Sequence, residues 1–164
     1  MHFGAPWGRL LKVASGSVVL LLAAVATFGG MNITGVAPGP RLLLILMPFL
    51  ALAAALPFVI RGYSLQGGEL IVHRLAWDTR FSLHGLKEAA FAPGAASRSI
   101  RLFGNGGLFV FAGLYWNRNL GRFRMLVTDL NRTVVLKLPD RTLVISPEDP
   151  EEFVAALRGE VTPR

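Results

Sequence analysis

The sequence contains no cysteine, which removes disulfide frameworks, thiolate metal sites and cysteine nucleophiles from consideration. Acid is missing from long stretches. Residues 1 to 60 hold three charged side chains, Arg9, Lys12 and Arg41, none of them acidic, and residues 89 to 128 hold five arginines without one carboxylate. Histidine is scarce, and His2, His73 and His84 do not stand at the HxxxH or histidine-plus-carboxylate spacings that zinc sites use. No nucleophile elbow is present, and no Gly-Lys-Ser/Thr follows the glycine-rich Gly104-Asn105-Gly106-Gly107. That run precedes a strand pattern rather than a helix, so it reads as a turn and not as a phosphate cradle or a dinucleotide fingerprint. The acids Glu148, Asp149, Glu151 and Glu152 gather at a predicted helix start, where the helix dipole accounts for them. No acid, base and nucleophile set emerges, so the expected chemistry is binding rather than catalysis, with no cofactor.

What the chain does have is apolar surface, 52% of its residues, distributed unevenly. A bilayer core of about 30 Å takes about 20 apolar helical residues. Val13 to Met31 and Leu42 to Ile60 are each nineteen residues long and uncharged, so both are predicted to span. The stretch between them, Asn32 to Arg41, has two prolines and two glycines and suits a tight hairpin connection. Pro48 and Pro57 are expected to kink the second helix without forbidding it. A rival reading is a signal peptide, with Arg9 and Lys12 before an apolar run ending in Ala24-Val25-Ala26. Basic residues near the helix ends number four on one side (Arg9, Lys12, Arg61, Arg74) against Arg41 alone on the other. That bias predicts a multi-pass protein of the cell (inner) membrane with both termini cytoplasmic.

From Tyr63 onward, short β-rich runs alternate with Gly, Asn, Asp and Pro, the spacing of a sandwich or barrel. The predicted strands are Tyr63 to Leu65, Glu69 to Leu75, Trp77 to Leu83, Ile100 to Phe103, Leu108 to Leu114, Arg122 to Thr128, Val134 to Leu138 and Thr142 to Ile145. Gln66-Gly67-Gly68, Gly104 to Gly107 and Pro139-Asp140 are the predicted turns. Asp149, Pro150 and Glu152 form a helix start, Phe153, Ala156 and Leu157 share one face, and Gly159 is the expected stop. The fold class is therefore α+β, mainly β. Residues 1–62 read as a two-helix hairpin anchor, and residues 63–164 as a cytosolic domain.

An antiparallel β domain closed by one helix, directly after a membrane hairpin, resembles the bacterial pleckstrin-homology-like domain family. The likeness lies in Arg101-Leu102-Phe103-Gly104-Asn105-Gly106-Gly107-Leu108-Phe109 running through Gly121 to Thr128-Asp129, and in Ile145-Ser146-Pro147-Glu148-Asp149-Pro150-Glu151-Glu152-Phe153. It implies a partly open antiparallel β-barrel or sandwich of about seven strands capped by the C-terminal helix, acting as a membrane-tethered module without catalytic activity. Phosphoinositide recognition does not carry over. The pleckstrin-homology pattern uses cations around the first strand pair, where this chain has Gln66-Gly67-Gly68, with His73, Arg74 and Arg80 only afterwards.

The functional signal read from the residues is the acid-free stretch. Its Arg98, Arg101, Arg118, Arg122 and Arg124 are interleaved with Phe109, Phe111, Tyr115 and Trp116. Arg101, Tyr115, Trp116, Arg118, Arg122 and Arg124 are the candidate binding residues. Two occupants fit: anionic lipid headgroups, at roughly 1 kcal/mol for each arginine near the surface, or a protein partner or second copy, since aromatics and arginine are enriched at interfaces. The plain alternative is that the arginines alternate outward on strands as solvated positions. Because the arginines are scattered over 98 to 124, the protein interface is the preferred reading. Nucleic acid is disfavoured, because the +7 net charge leaves only +4 (14 basic minus 10 acidic) on the soluble part.

Overall fold

The computed structural model describes residues 1–31 and 38–161. In chain order the elements are β1 (His2–Gly4), α1 (Arg9–Met31), α2 (Pro38–Ala55), a 3-10 turn (Leu56–Phe58), β2 (Ile60–Gln66), β3 (Glu69–Arg74), β4 (Asp78–Ser82), β5 (Glu88–Phe91), β6 (Ile100–Gly106), β7 (Phe111–Asn117), β8 (Gly121–Val127), β9 (Val134–Lys137), β10 (Thr142–Ile145) and α3 (Pro150–Val161). The first four strands form one sheet in the order β1-β2-β3-β4, and the others a second in the order β5-β9-β10-β8-β7-β6. Neighbours are antiparallel except β10 and β8, which run parallel because β9 lies outside β10 and the chain returns past it.

The α+β architecture matches the sequence reading, with ten strands among the described residues where the residues predict eight and the resemblance implies about seven. All eight predicted strands are present, β2 beginning three residues early, β4 one residue late, β7 three residues late and β8 one residue early. The two additions are β1 and β5. β1 pairs His2 with Ser64, Phe3 with Tyr63 and Gly4 with Gly62, so the extreme N-terminus completes the first sheet. The boundary expected between residues 62 and 63 falls inside β2.

The membrane segments need a correction. Of the two predicted spans, only Arg9–Phe28 is a helix long and apolar enough to cross a membrane among the described residues. The second apolar run does not stay helical: α2 ends at Ala55, Pro57 sits in the 3-10 turn, and Ile60 is already in β2. Proline has no N–H to give the preceding turn, and its ring disfavours the helical conformation of the residue before it. The apolar helical stretch that remains, Ile45–Phe58, is shorter than a span. The predicted hairpin connection lies outside the described residues up to 37, and α2 starts at Pro38.

Between the sheets lies a core that includes Tyr63, Leu70 and Phe81 from the first, Leu126 and Ile145 from the second, and Phe153 and Leu157 from α3. β1 adds Phe3, whose ring meets Phe153 edge-on with centroids 5.0 Å apart. The fully buried Tyr63 ties the layers together. Its hydroxyl donates to the Leu126 carbonyl at 2.8 Å and accepts from the Ser146 N–H at 3.3 Å. Burial pushes its phenol up to about 12.

The outer face of the second sheet is apolar too, through Tyr115, Phe123 and Met125. What covers it is the β5–β6 connection: Ala96 is buried against it, and Asn117 Nδ2 pins that segment by donating to the Ala95 carbonyl at 2.9 Å. α3 runs to Val161, past the stop expected at Gly159. Gly104 and Gly106 are strand residues rather than turn residues, a second correction. Gly104 faces Gly113 in register, and both have positive φ (112° and 149°). A Cβ on Gly104 would collide with the Ala112 carbonyl oxygen, and one on Gly113 with that of Phe103. Only glycine permits this close strand approach.

α1 begins inside the β domain. Leu11 is fully buried, Gly8 N donates to the Thr128 carbonyl at 3.0 Å, and Ser15 Oγ bridges the β6–β7 turn. That hydroxyl donates to the Gly107 carbonyl at 3.1 Å and accepts from the Phe109 N–H at 2.9 Å. Phe109 has φ 64°, an uncommon conformation for a non-glycine residue, and Trp7 packs beside it with ring centroids 6.0 Å apart.

Candidate binding face

Directly opposed residues on neighbouring strands share a face, so the register sorts the six candidate residues. Two rows cross β6, β7 and β8 on one side: Ile100, Trp116 and Arg122, then Phe103, Leu114 and Arg124. Trp116, Arg122 and Arg124 are thereby brought together. Every side chain in these rows is exposed, Phe103 to 80%. Large apolar side chains in solvent, rimmed by cations, mark an interaction surface.

Arg101 and Tyr115 belong to the other side of the sheet. Tyr115 is 4% exposed, stacks on Phe123 with centroids 6.2 Å apart and donates its hydroxyl to the Asn105 carbonyl at 2.8 Å. Burial raises its phenol above the ordinary value. It is built into the packing of that face, whereas Arg101 is exposed beside it. Arg118 lies in the tight β7–β8 turn, which Asn117 Oδ1 holds by accepting from the N–H groups of Asn119 at 3.1 Å and Leu120 at 2.8 Å.

One of the exposed rows borders the end of α2. A cavity of about 710 Å³ has α2 residues Ala51, Ala54 and Ala55 on one side and Phe103, Leu114 and Arg124 on the other. Arg124 also reaches toward the first sheet, its guanidinium 5.3 Å from the centre of the Phe81 ring. Arg74, which the sequence marks only as a flanking cation, lines the same cavity and is 8% exposed. Its guanidinium packs against an edge-on pair of aromatic rings, 6.0 Å from the centroid of Phe58 and 5.7 Å from that of Trp77. Burial, and secondarily Arg124, lower its pKa below the ordinary arginine value.

A second constellation is invisible in the sequence. Asp78 Oδ1 bonds His73 Nδ1 at 2.9 Å, His73 Nε2 bonds Ser64 Oγ at 2.8 Å, and Ser64 Oγ meets His2 Nδ1 at 3.0 Å. The distances match a serine, histidine and carboxylate relay, but the setting does not. Ser64 stands in mid-strand with ladder partners on both sides, His2 and Ile71, so its backbone does not supply the oxyanion donors acyl transfer needs. The chain of bonds ties β1 onto the sheet. Among the described residues no group of three or more His, Asp or Glu could hold a metal ion.

The family model described as bacterial PH domain matches residues 61–161, from the start of β2 to the end of α3. The chain belongs to the bacterial PH domain family. Comparison with curated proteins and with solved structures found no match. Membership accords with the likeness seen in the sequence and with the two sheets closed by a helix. PH domains are generally binding modules rather than enzymes, and no enzymatic family is indicated for this chain. Family membership does not distinguish a lipid from a protein as the occupant of the face.

Proposed function

We propose that this PH domain is a non-catalytic binding module tethered to the cell (inner) membrane, and that its β6–β8 face, with Trp116, Arg122 and Arg124, rests on anionic lipid headgroups. The observation that carries this is the position of the row Phe103, Leu114 and Arg124, which walls one cavity together with the end of the apolar α2, with Trp116 and Arg122 in the neighbouring row. That position outweighs the scattering of the arginines along the sequence. Arg118, Arg122 and Arg124 together supply on the order of 3 kcal/mol toward an anionic surface. This is weak for a free protein and sufficient for a tethered one, whose effective concentration at the surface is on the order of mM.

The pairing of β1 with β2 supports a retained N-terminal segment whose two flanks lie on the same side of the membrane. Residues 2–4 and 60–66 lie in one sheet, so a chain that enters the membrane after residue 9 must return to the same side before residue 60.

The second reading, a protein partner or second copy docked on Trp116, is favoured by that residue's own type, since half-exposed tryptophan beside arginine is common in interface centres. One experiment separates the two. The full chain with Trp7→Phe and Trp77→Phe is reconstituted in nanodiscs containing brominated lipids. Trp116 fluorescence is expected to be quenched more strongly with anionic than with zwitterionic lipid, and the excess is expected to vanish as salt rises from about 0.05 to 0.5 M. Unquenched Trp116 fluorescence, together with a Trp116→Ala change in oligomeric state, would establish the protein interface instead.

A further inference from the structure

We propose that the cavity between the end of α2 and the β6–β8 sheet is a specific site for a single phosphate-headed lipid, with an acyl chain in the cavity and its phosphate on Arg74 and Arg124. The inference deepens the lipid reading above: it shares Arg124 with that reading and adds the buried Arg74 and the interior of the cavity. Small residues contribute to both walls: Ala51 and Ala54 from the helix, Gly104 and Gly113 from the strands. Its volume of about 710 Å³ lies within the range of small-molecule sites, which enclose an apolar body and fix it with a few polar groups.

Among the described residues, the polar side chains lining the cavity are two guanidinium ions and the Asn105 amide, with no carboxylate. Asn105 is already used, donating to the Leu108 carbonyl and accepting from the Gly107 and Leu108 N–H groups. Arg74 is not. It makes two long hydrogen bonds, to Thr79 Oγ1 at 3.3 Å and the Phe58 carbonyl at 3.4 Å, and most of its donors remain free. Among the described residues neither Arg74 nor Arg124 forms an ion pair.

A buried cation without a counter-ion is costly, and a second cation beside it raises the cost. A phosphate between the two guanidinium groups removes both penalties and matches their paired N–H geometry. The helix that walls the cavity exposes Leu46, Met47, Phe49 and Leu50, an apolar surface that suits the chain of a bilayer lipid.

The test uses the full chain in nanodiscs of phosphatidylcholine doped with a minor fraction of phosphatidylglycerol, released for native mass spectrometry. One phosphatidylglycerol per chain should be retained in preference to phosphatidylcholine. Arg124→Gln should reduce that retention about tenfold or more, the scale of one lost charge-assisted contact. Ala54→Phe, which fills the cavity and leaves Trp116 and Arg122 outside it, should abolish retention while leaving the salt-sensitive quenching of Trp116 intact. Dodecyl phosphate should displace the lipid, and inorganic phosphate at the same concentration should not. Displacement by inorganic phosphate alone would reduce the site to a free-anion site and overturn the proposal, as would equal retention of phosphatidylcholine or indifference to Ala54→Phe. Loss of Trp116 quenching with retention preserved would instead overturn the surface reading and leave this site standing.

Discussion

Phe3→Ala should cost about 3–5 kcal/mol of stability, the scale of a phenylalanine removed from a packed core. A domain holding about 5–15 kcal/mol in total cannot lose that much without a large drop in thermal midpoint. Phe3 is 7% exposed and lies in the same core as Ile60, Tyr63 and Leu65. Its strand is held by the Met1 ammonium on the Leu65 carbonyl at 2.8 Å and by the Gly4 carbonyl, which accepts from Glu148 N at 2.9 Å. Deleting residues 1–7 should therefore abolish cooperative unfolding, followed by near-ultraviolet circular dichroism of the full chain in detergent. The same reasoning bears on the signal-peptide reading. Cleavage after Ala26 would remove β1, Leu11 and Ser15 together, so the intact protein should carry its N-terminal residues when weighed. A melting curve for Phe3→Ala that superimposes on that of the parent would show that β1 is incidental to the domain.

Phe153→Ala should be comparably damaging. Phe153 is fully buried, Leu157 is 1% exposed and Val154 is 8% exposed, so α3 presents an apolar stripe to the core. Removing residues 149–164 uncovers that core and should leave aggregated or non-cooperative protein. The two predictions are linked because Phe3 and Phe153 touch edge to face. In a double-mutant cycle the pair should show a coupling of about 0.5–1.5 kcal/mol. Strictly additive losses in the cycle would mean that N-terminal strand and C-terminal helix stabilise the domain independently.

Most of the β domain was legible because its strands alternate apolar and polar residues between recognisable turns. The elements that escaped share a cause, namely that their structure comes from distant partners. β1 is three residues long and carries no periodicity; it is a strand because β2, some sixty residues later, offers it an edge. β5, Glu-Ala-Ala-Phe, has low β-propensity and is drawn into the sheet by β9. The second apolar run passed a length test that counts residues but not conformations, and Pro57 decided the outcome.

The candidate site was half legible for a similar reason. Trp116, Arg122 and Arg124 could be gathered from acid-free composition, but Tyr115 adjoins Trp116 in a strand and must therefore point the other way. Strand parity would have excluded it. Arg74 could not have been found from its neighbours in sequence, because what makes it unusual is supplied by α2, Trp77 and Arg124 across the fold. The bonded run from Asp78 through His73 and Ser64 to His2 likewise joins four strands.

The absence of native cysteine makes the central claim directly measurable with single spin labels. Phe103 lies in β6 and Glu88 in β5, at opposite edges of the six-stranded sheet. The full chain carrying Phe103→Cys or Glu88→Cys, labelled with a nitroxide and reconstituted in bilayers containing anionic lipid, reports which edge meets the membrane through its accessibility to oxygen and to a water-soluble nickel chelate. The account predicts that the label at 103 is oxygen-accessible and chelate-protected, at headgroup or upper acyl depth, and that the label at 88 is fully chelate-accessible. A label at 103 as open to the chelate as the one at 88 would contradict it.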